Sequence, residues 1–160
     1  MSAIQFRDGW HAAGIIRSIT ERKRSEKELQ SSQARYRALI DQSFEALALV
    51  DIQTQEVVEV NRRFTSLLGY SLPEDAPLYV RDFVIDTKEN LDKRYGVTLK
   101  HQHILPAESI LFRHKNGTEI PVERAGTVIC IDGRDYLLSS NRDMTEERRR
   151  QSELAESLEE

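Results

Sequence analysis

Alternating apolar and polar residues predict short β-strands on either side of the middle of the chain. Residues 46–51 and 56–60 are rich in apolar and β-branched side chains and flank a polar turn, which predicts a pair of strands. Further β-rich segments follow at 108–113, 119–131 and 134–142. Their close succession predicts a meander of antiparallel strands.

Helical spacing replaces this alternation between the two groups of strands. Asn61 is a favourable N-cap, apolar side chains follow it at helical intervals, and Gly69 supplies a left-handed stop. A helix is therefore predicted between Asn61 and Gly69. Prolines interrupt residues 71–108, which predicts short helices there, with 88–99 the best candidate.

Two dipeptides predict tight turns within the meander. Asn116-Gly117 and Asp132-Gly133 are pairs that favour primed hairpin turns. The order of two strands, several short helices and three strands predicts an α+β fold with an antiparallel sheet.

The globular part is bounded by two charged segments that repeat each other. Residues 15–29 (IIRSITERKRSEKEL) are similar to 140–154 (SNRDMTEERRRQSEL), at a separation typical of one whole domain. Both copies contain a capping residue with Glu three positions later, and each predicts a capping box that starts a helix. The pairs are Ser18 with Glu21 and Asp143 with Glu146.

Composition and charge argue against several classes of protein. The chain has 160 residues and a net charge of −4, without a basic excess or a cysteine–histidine spacing that would indicate nucleic-acid binding or a zinc finger. The single cysteine, Cys130, lies in an apolar run and is expected to be a small buried hydrophobic residue. A lone cysteine cannot form an internal disulfide, which indicates a reducing, cytoplasmic compartment. No run reaches the ~20 apolar residues of a membrane span, so no direct membrane contact is expected, although the parent protein could be anchored elsewhere.

Two segments resemble the PAS family. VNRRFTSLLGYSLPE at 60–74 resembles its central helix, which an Asn caps and a Gly-Tyr or Gly-Phe pair closes. HKNGTEIPVE and IDGRDYLLSSNRDMTEERRR, at 114–123 and 131–150, resemble its last strands and its Asp-Ile-Thr exit motif, with Met144 in place of Ile. The resemblance implies a five-stranded antiparallel sheet in the order 2-1-5-4-3, with short helices on one face around a cavity and helical extensions at both ends.

The resemblance and the repeat together imply a domain arrangement. Residues 1–17 are expected to be the remnant of a preceding PAS domain's last strand, and 18–35 a linker or signalling helix. Residues 36–147 are expected to form the PAS domain and 148–160 the exit helix. The chain would be one unit of a longer protein with neighbouring PAS and output domains.

The cavity implied by the family has no obvious cofactor. Flavin-binding relatives use an Asn-Cys-Arg motif, whereas this chain has arginine after Asn61, which argues against a photoactive flavin. His101 and His103 lie where haem-binding relatives place an axial ligand, but at i, i+2 in a polar loop they are expected to be surface residues, without haem or metal. The predicted cavity lining is apolar: Leu49, Phe64, Leu68, Phe83, Leu91, Tyr95, Ile110, Phe112 and Leu138.

No catalytic motif is present in the sequence, so the helical extensions are the better candidates for function. Sparse heptad-like seams predict weak pairing of these helices. A homodimer through the N-terminal helix is expected, with an interface at Leu29, Tyr36, Leu39 and Ile40. The predicted signal-relay junction is formed by Asp143, Met144, Thr145 and Glu146.

Two functions remain open from the sequence. The first is a sensory and relay module that detects a small ligand or partner and passes the signal through the exit helix. The family resemblance implies an output domain of the histidine kinase or cyclic-dinucleotide type, outside this chain. The alternative is a ligand-free structural PAS module that dimerises and spaces its neighbours.

Overall fold

A computed structural model describes the backbone of residues 9–159 and the side chains of residues 16–159. The chain divides into two units, one up to residue 39 and one from residue 40 onward. Helix α1 (Gly9–Asp41) makes up the described part of the first unit and continues for two residues into the second. Its side chains from 16 to 39 are exposed, and ion pairs at i, i+4 such as Arg17–Glu21 and Arg22–Glu26 support it.

The structure corrects the expectation for the N-terminal residues. Residues 9–17 are helical and not a strand, and no helix begins at Ser18, because α1 runs through it without a break. Within α1 the Thr20 hydroxyl donates a hydrogen bond to the carbonyl of Ile16. A strand needs a neighbour to satisfy its backbone groups, whereas a helix satisfies them within one segment. Residues 1–8 of the expected remnant lie outside the described residues.

The second unit contains the sheet and the remaining helices. Residues Arg94–Thr98 form a π-helical segment between two short α-helices. The elements, in order, are β1 (Ala46–Asp51), β2 (Val57–Val60), α2 (Arg62–Leu68), α3 (Val80–Phe83), α4 (Lys88–Lys93), α5 (Leu99–Gln102), β3 (Ile104–Arg113), β4 (Glu119–Ile131), β5 (Arg134–Asp143) and α6 (Thr145–Glu159).

The five strands form one antiparallel sheet in the order β2-β1-β5-β4-β3. This confirms the predicted fold class and strand order. Strand β3 begins at Ile104, four residues before the predicted start, because its first residues pair with β4 across an irregularity between Leu105 and Glu108. No helix among residues 9–159 combines the length and the apolar character needed to span a membrane.

Helix α2 is capped at both ends as predicted. The Asn61 side chain accepts a hydrogen bond from the backbone N–H of Phe64 at 3.0 Å. Gly69 ends the helix with φ +78°, in the left-handed region that glycine favours, and its N–H donates to the Thr65 carbonyl.

A matched pair of glycine substitutions tests this account of Gly69. In Gly69→Ala the new Cβ would lie 2.7 Å from Cε1 of His114 and the backbone would keep its positive φ, so a loss of about 1–2 kcal/mol in the free energy of unfolding is expected. Gly96→Ala meets no atom within 4 Å and lies in helical backbone, so a gain of about 0.5 kcal/mol is expected. Urea denaturation measures both, and equal effects would contradict the assignment.

The two hairpin turns of the meander differ from each other. Asp132 and Gly133 both have positive φ, at 50° and 76°, as the predicted primed turn requires. The loop between β3 and β4 is wider than predicted. There only Gly117 has positive φ, at 93°, and the loop closes by a hydrogen bond from the His114 N–H to the Thr118 carbonyl.

Candidate functional site

Helices α2 to α5 lie over one face of the sheet, which we call the inner face. One end of this face is aromatic. Phe83 makes edge-to-face contacts with both Phe64 and Phe112, with ring centroids 5.3 and 5.2 Å apart. All three rings are buried. Such packing fills the space between α2, α3 and β3, so this end of the interior is a close-packed core.

Most of the predicted cavity-lining residues lie in this interior. The core contains Phe64, Leu68, Phe83, Leu91, Tyr95 and Phe112, and the partly buried Ile110 packs against it. Side chains from separate elements are therefore brought together as expected. Whether they line a ligand site remains a prediction.

Leu49 and Leu138 do not belong to this lining. They are cross-strand partners, half-buried, and alternate with the buried residues Ala48, Val50 and Leu137. Because successive side chains of a strand point to opposite faces, both leucines lie on the outer face of the sheet. Their inclusion in the cavity lining was wrong.

At the other end of the inner face lies a cluster of charged side chains. Arg124 on β4 is 3% exposed and donates hydrogen bonds from Nε and Nη2 to Oε1 of Glu108 on β3, at 3.0 and 2.8 Å. Arg94 in the π-helical segment places Nη2 3.3 Å from the same oxygen and Nη1 3.5 Å from Oδ2 of Asp86. We call these four residues the charged cluster.

Burial and neighbouring charges shift the pKa values of this region. Burial, with Arg94 nearby, lowers the pKa of Arg124, although Glu108 opposes the shift. For Asp86, burial would raise the pKa, but hydrogen bonds from Asn90 and Thr87, with the arginines nearby, outweigh it and lower the pKa. Burial raises the pKa of the Tyr95 hydroxyl to about 12. Asp86 is therefore ionised and Tyr95 protonated at neutral pH.

Two buried polar atoms near this end lack a hydrogen-bond partner among the described residues. They are Nη1 of Arg94 and Oδ1 of Asn141. Asn141 on β5 is the cross-strand neighbour of Arg124 and donates from Nδ2 to the Ala46 carbonyl and Ser139 Oγ. Unpaired buried polar atoms are uncommon in folded proteins, and each calls for an explanation such as a bound water, an ion or a functional role.

Sequence reasoning missed the charged cluster. Arg124 lies two residues after Val122, so strand alternation places it on the buried face, and a charge at an inward position was the available signal. The partnership of Arg94 with Glu108 had no such signal, because it depends on how the helices fold back over the sheet.

The two histidines considered as haem ligands and the single cysteine lie at the surface. His101, His103 and Cys130 are exposed, and His103 ends α5 with a positive φ of 57°. Cys130 is therefore not the buried small hydrophobe that was expected. Across the described side chains, no group of three or more His, Cys, Asp or Glu residues is arranged to hold a metal ion.

The predicted relay junction connects the last strand to α6. Oδ1 of Asp143 accepts hydrogen bonds from the backbone N–H and the hydroxyl of Thr145, at 2.8 and 2.6 Å. The N–H of Met144 donates to the carbonyl of Pro121 on β4 at 2.9 Å. The predicted capping box is only half formed, because Glu146 contacts Arg149 of α6.

The residues expected at a dimer interface fall into two groups. Leu29, Tyr36 and Leu39 of the first unit are more than half exposed. Ile40 belongs to the second unit, where it is half-buried and its carbonyl accepts a hydrogen bond from Asn61. An interface through these residues remains a prediction.

Comparison with known proteins identifies the family. Residues 34–100, from the end of α1 to α5, match the family model of the PAS domain. The chain carries a PAS domain. This agrees with the fold, with the capped helix at Asn61 and with the exit motif after β5. PAS domains are sensory modules and are generally without a catalytic site.

Individual relatives support the same assignment. The chain is 26% identical over 135 residues to a methyl sulfide methyltransferase-associated sensor of Methanosarcina acetivorans, which covers 81% of this chain and 13% of that protein. A PAS domain of an HTR-like protein from Haloarcula marismortui superposes with a TM-score of 0.67 at 24% identity, over 76% of this chain and 98% of that one. A PAS domain from a two-component sensor histidine kinase superposes with a TM-score of 0.59 at 19% identity, over 73% of this chain and 98% of that one.

Proposed function

We propose that this PAS sensor domain detects a small ligand or partner at the inner face of its sheet and passes the signal to an output domain through α6. The observation that carries the proposal is the construction of the relay junction. Strand β5 leads into α6 within two residues, and the side chain of Asp143 and the backbone of Met144 fix the turn. A change in β4 or β5 therefore has a short, defined route to the helix.

One residue of the charged cluster, Arg124, lies on β4, which belongs to that route. Arg124 is two residues from Val122, which pairs with Asp143, and Pro121 accepts the hydrogen bond from Met144. A displacement of β4 at Arg124 would alter the support of α6 at its first turn. Coupling free energies of about 1–3 kcal/mol between sites are enough to switch an output.

We further propose that the output domain is a histidine kinase or cyclic-dinucleotide enzyme beyond this chain, in a cytoplasmic part of the parent protein. Neighbouring PAS domains and a homodimer through the N-terminal helix complete this proposal. The exposed apolar side chains of Leu29 and Leu39 support a dimer, because they otherwise face water.

Substitution of the junction tests the relay. Asp143→Ala and Thr145→Ala are expected to change the response of the full-length protein to its stimulus while costing only about 1 kcal/mol in stability, as loss of a cap does. Output activity with and without stimulus is the measurement, alongside thermal melts of the domain. Asp135→Ala, an exposed aspartate at the far end of the same strand, is the matched control. A normal response in both junction variants would make the junction a simple linker.

The structural alternative is favoured by a different observation. The three phenylalanine rings close-pack the aromatic end of the interior, as expected of a module that only dimerises and spaces its neighbours. The charged end, with its unpaired polar atoms, favours sensing. An unchanged response in the junction variants, together with a normal core, would select the structural function.

A further inference from the structure

We propose that Arg94 and Arg124 bind the carboxylate of a small organic acid that carries a hydrogen-bond donor beside that carboxylate, and that this acid displaces the side chain of Glu108. The proposal rests on the proposed sensory function and names the class of ligand. It is carried by the arrangement of the charged cluster, in which Nη1 of Arg94 lacks a hydrogen-bond partner, and by the buried Oδ1 of Asn141, the cross-strand neighbour of Arg124.

Glu108 holds the arginines together through a single oxygen. Its Oε1 accepts hydrogen bonds from Nε and Nη2 of Arg124 and lies 3.3 Å from Nη2 of Arg94. Arginine and carboxylate groups favour bidentate pairing through two oxygens. The arrangement leaves the Nη1 side of Arg124 outside these bonds. Nη1 of Arg94 lies 3.5 Å from Oδ2 of Asp86 and is buried without a hydrogen-bond partner. A carboxylate with both oxygens turned to the two guanidinium groups would use these donors.

Glu108 is also the member of the cluster that can leave. Its side chain is 39% exposed, whereas those of Arg94 and Arg124 are 18% and 4% exposed. The carboxylate can therefore turn fully into water, while the two arginines remain buried. Because a ligand carboxylate replaces a protein carboxylate, the charge beside the arginines is conserved and neither guanidinium is left buried without a counter-charge.

The donor on the ligand follows from Asn141. Its Oδ1 is buried, is an acceptor without a partner, and belongs to the cross-strand neighbour of Arg124. A hydroxyl or ammonium group next to the ligand carboxylate would pair with this oxygen. The ligand must be small, because the aromatic end of the same inner face is filled by Phe64, Phe83 and Phe112.

Exchange of the Glu108 carboxylate for the ligand carboxylate would directly change the contacts between β3 and β4. When Glu108 leaves Arg124, the only side-chain hydrogen bonds that Arg124 makes between β3 and β4 are lost. The change occurs in β4, three residues from the Pro121 carbonyl that holds Met144.

Titration with lactate and acetate tests the proposal. Amide resonances of the full chain are followed by NMR at constant ionic strength, with chloride as the reference anion. In Glu108→Gln the internal competitor loses its charge, so lactate is expected to bind about ten-fold more tightly than in the wild type. Arg94→Gln is expected to weaken lactate binding by about ten-fold. Acetate, without the hydroxyl, is expected to bind more weakly than lactate in every variant.

The matched control is Arg113→Gln, which removes an exposed arginine from the end of β3 and should leave lactate binding unchanged. Because Glu108→Gln keeps the size and hydrogen-bonding capacity of the side chain, it tests the proposal even if Arg94→Gln fails to fold. Lactate affinity in Glu108→Gln equal to that of the wild type, or shifts that chloride reproduces, would overturn it. If the junction variants nevertheless alter output, the ligand class is wrong and the relay function stands.

Discussion

Phe83→Ala is expected to lower the free energy of unfolding by about 4 kcal/mol, the largest effect of any substitution predicted here. Phe83 is 4% exposed and is the central ring of the aromatic group, in contact with both Phe64 and Phe112. Its removal deletes both edge-to-face contacts and leaves a cavity that the sheet and α2 cannot fill by collapsing. Urea denaturation of the isolated chain measures the loss.

The control for this substitution is another phenylalanine of the same chain. Phe44 is 92% exposed, so Phe44→Ala is expected to change stability by no more than about 0.5 kcal/mol. A similar loss in both variants would mean that the aromatic group is not the centre of the core. A loss below 1 kcal/mol for Phe83→Ala alone would have the same meaning.

The second large effect is expected at Asn61, where alanine should cost about 3 kcal/mol. Its side chain makes four hydrogen bonds: Oδ1 accepts from the N–H groups of Leu47 and Phe64, and Nδ2 donates to the carbonyls of Ile40 and Glu45. Asn61 is 2% exposed, so several of these backbone groups would remain buried without a partner. Thermal and urea denaturation measure the change.

Asn116→Ala is the matched control, because Asn116 is exposed and its side chain accepts a hydrogen bond only from the Thr118 N–H. Its expected cost is about 0.5 kcal/mol. If Asn61→Ala costs no more than the control, Asn61 is an ordinary helix cap and not the link between α2, β1 and the end of α1.

Local interactions explain why the sequence alone predicted much of the fold. The bounds of β4, the turn at Asp132 and the capped helix from Asn61 to Gly69 depend on residues close in the chain, and the structure has them as predicted. The strand order came from the family resemblance and is confirmed. The helical N-terminal segment was missed because a strand was expected from a repeat and not from local propensity.

Which face of a strand is buried depended on the tertiary structure. Strand β1 is apolar on both faces, so alternation could not decide between Ala48 and Leu49. Helix α2 packs on β1 with the fully buried side chains of Phe64 and Leu68, and small residues there leave them room. The larger Leu49 therefore lies on the outer face, opposite Leu138.

The sequence by itself determined the family and the caps of α2, because these depend on short recognisable segments and on local hydrogen bonds. The strand order followed from the family resemblance. Only the tertiary structure decided the charged cluster. Arg94, Glu108 and Arg124 come from three elements, and their contact depends on the register of β3 against β4 and on the fold of the π-helical segment over the sheet. No local pattern encodes that register, since it results from the packing of all the elements together.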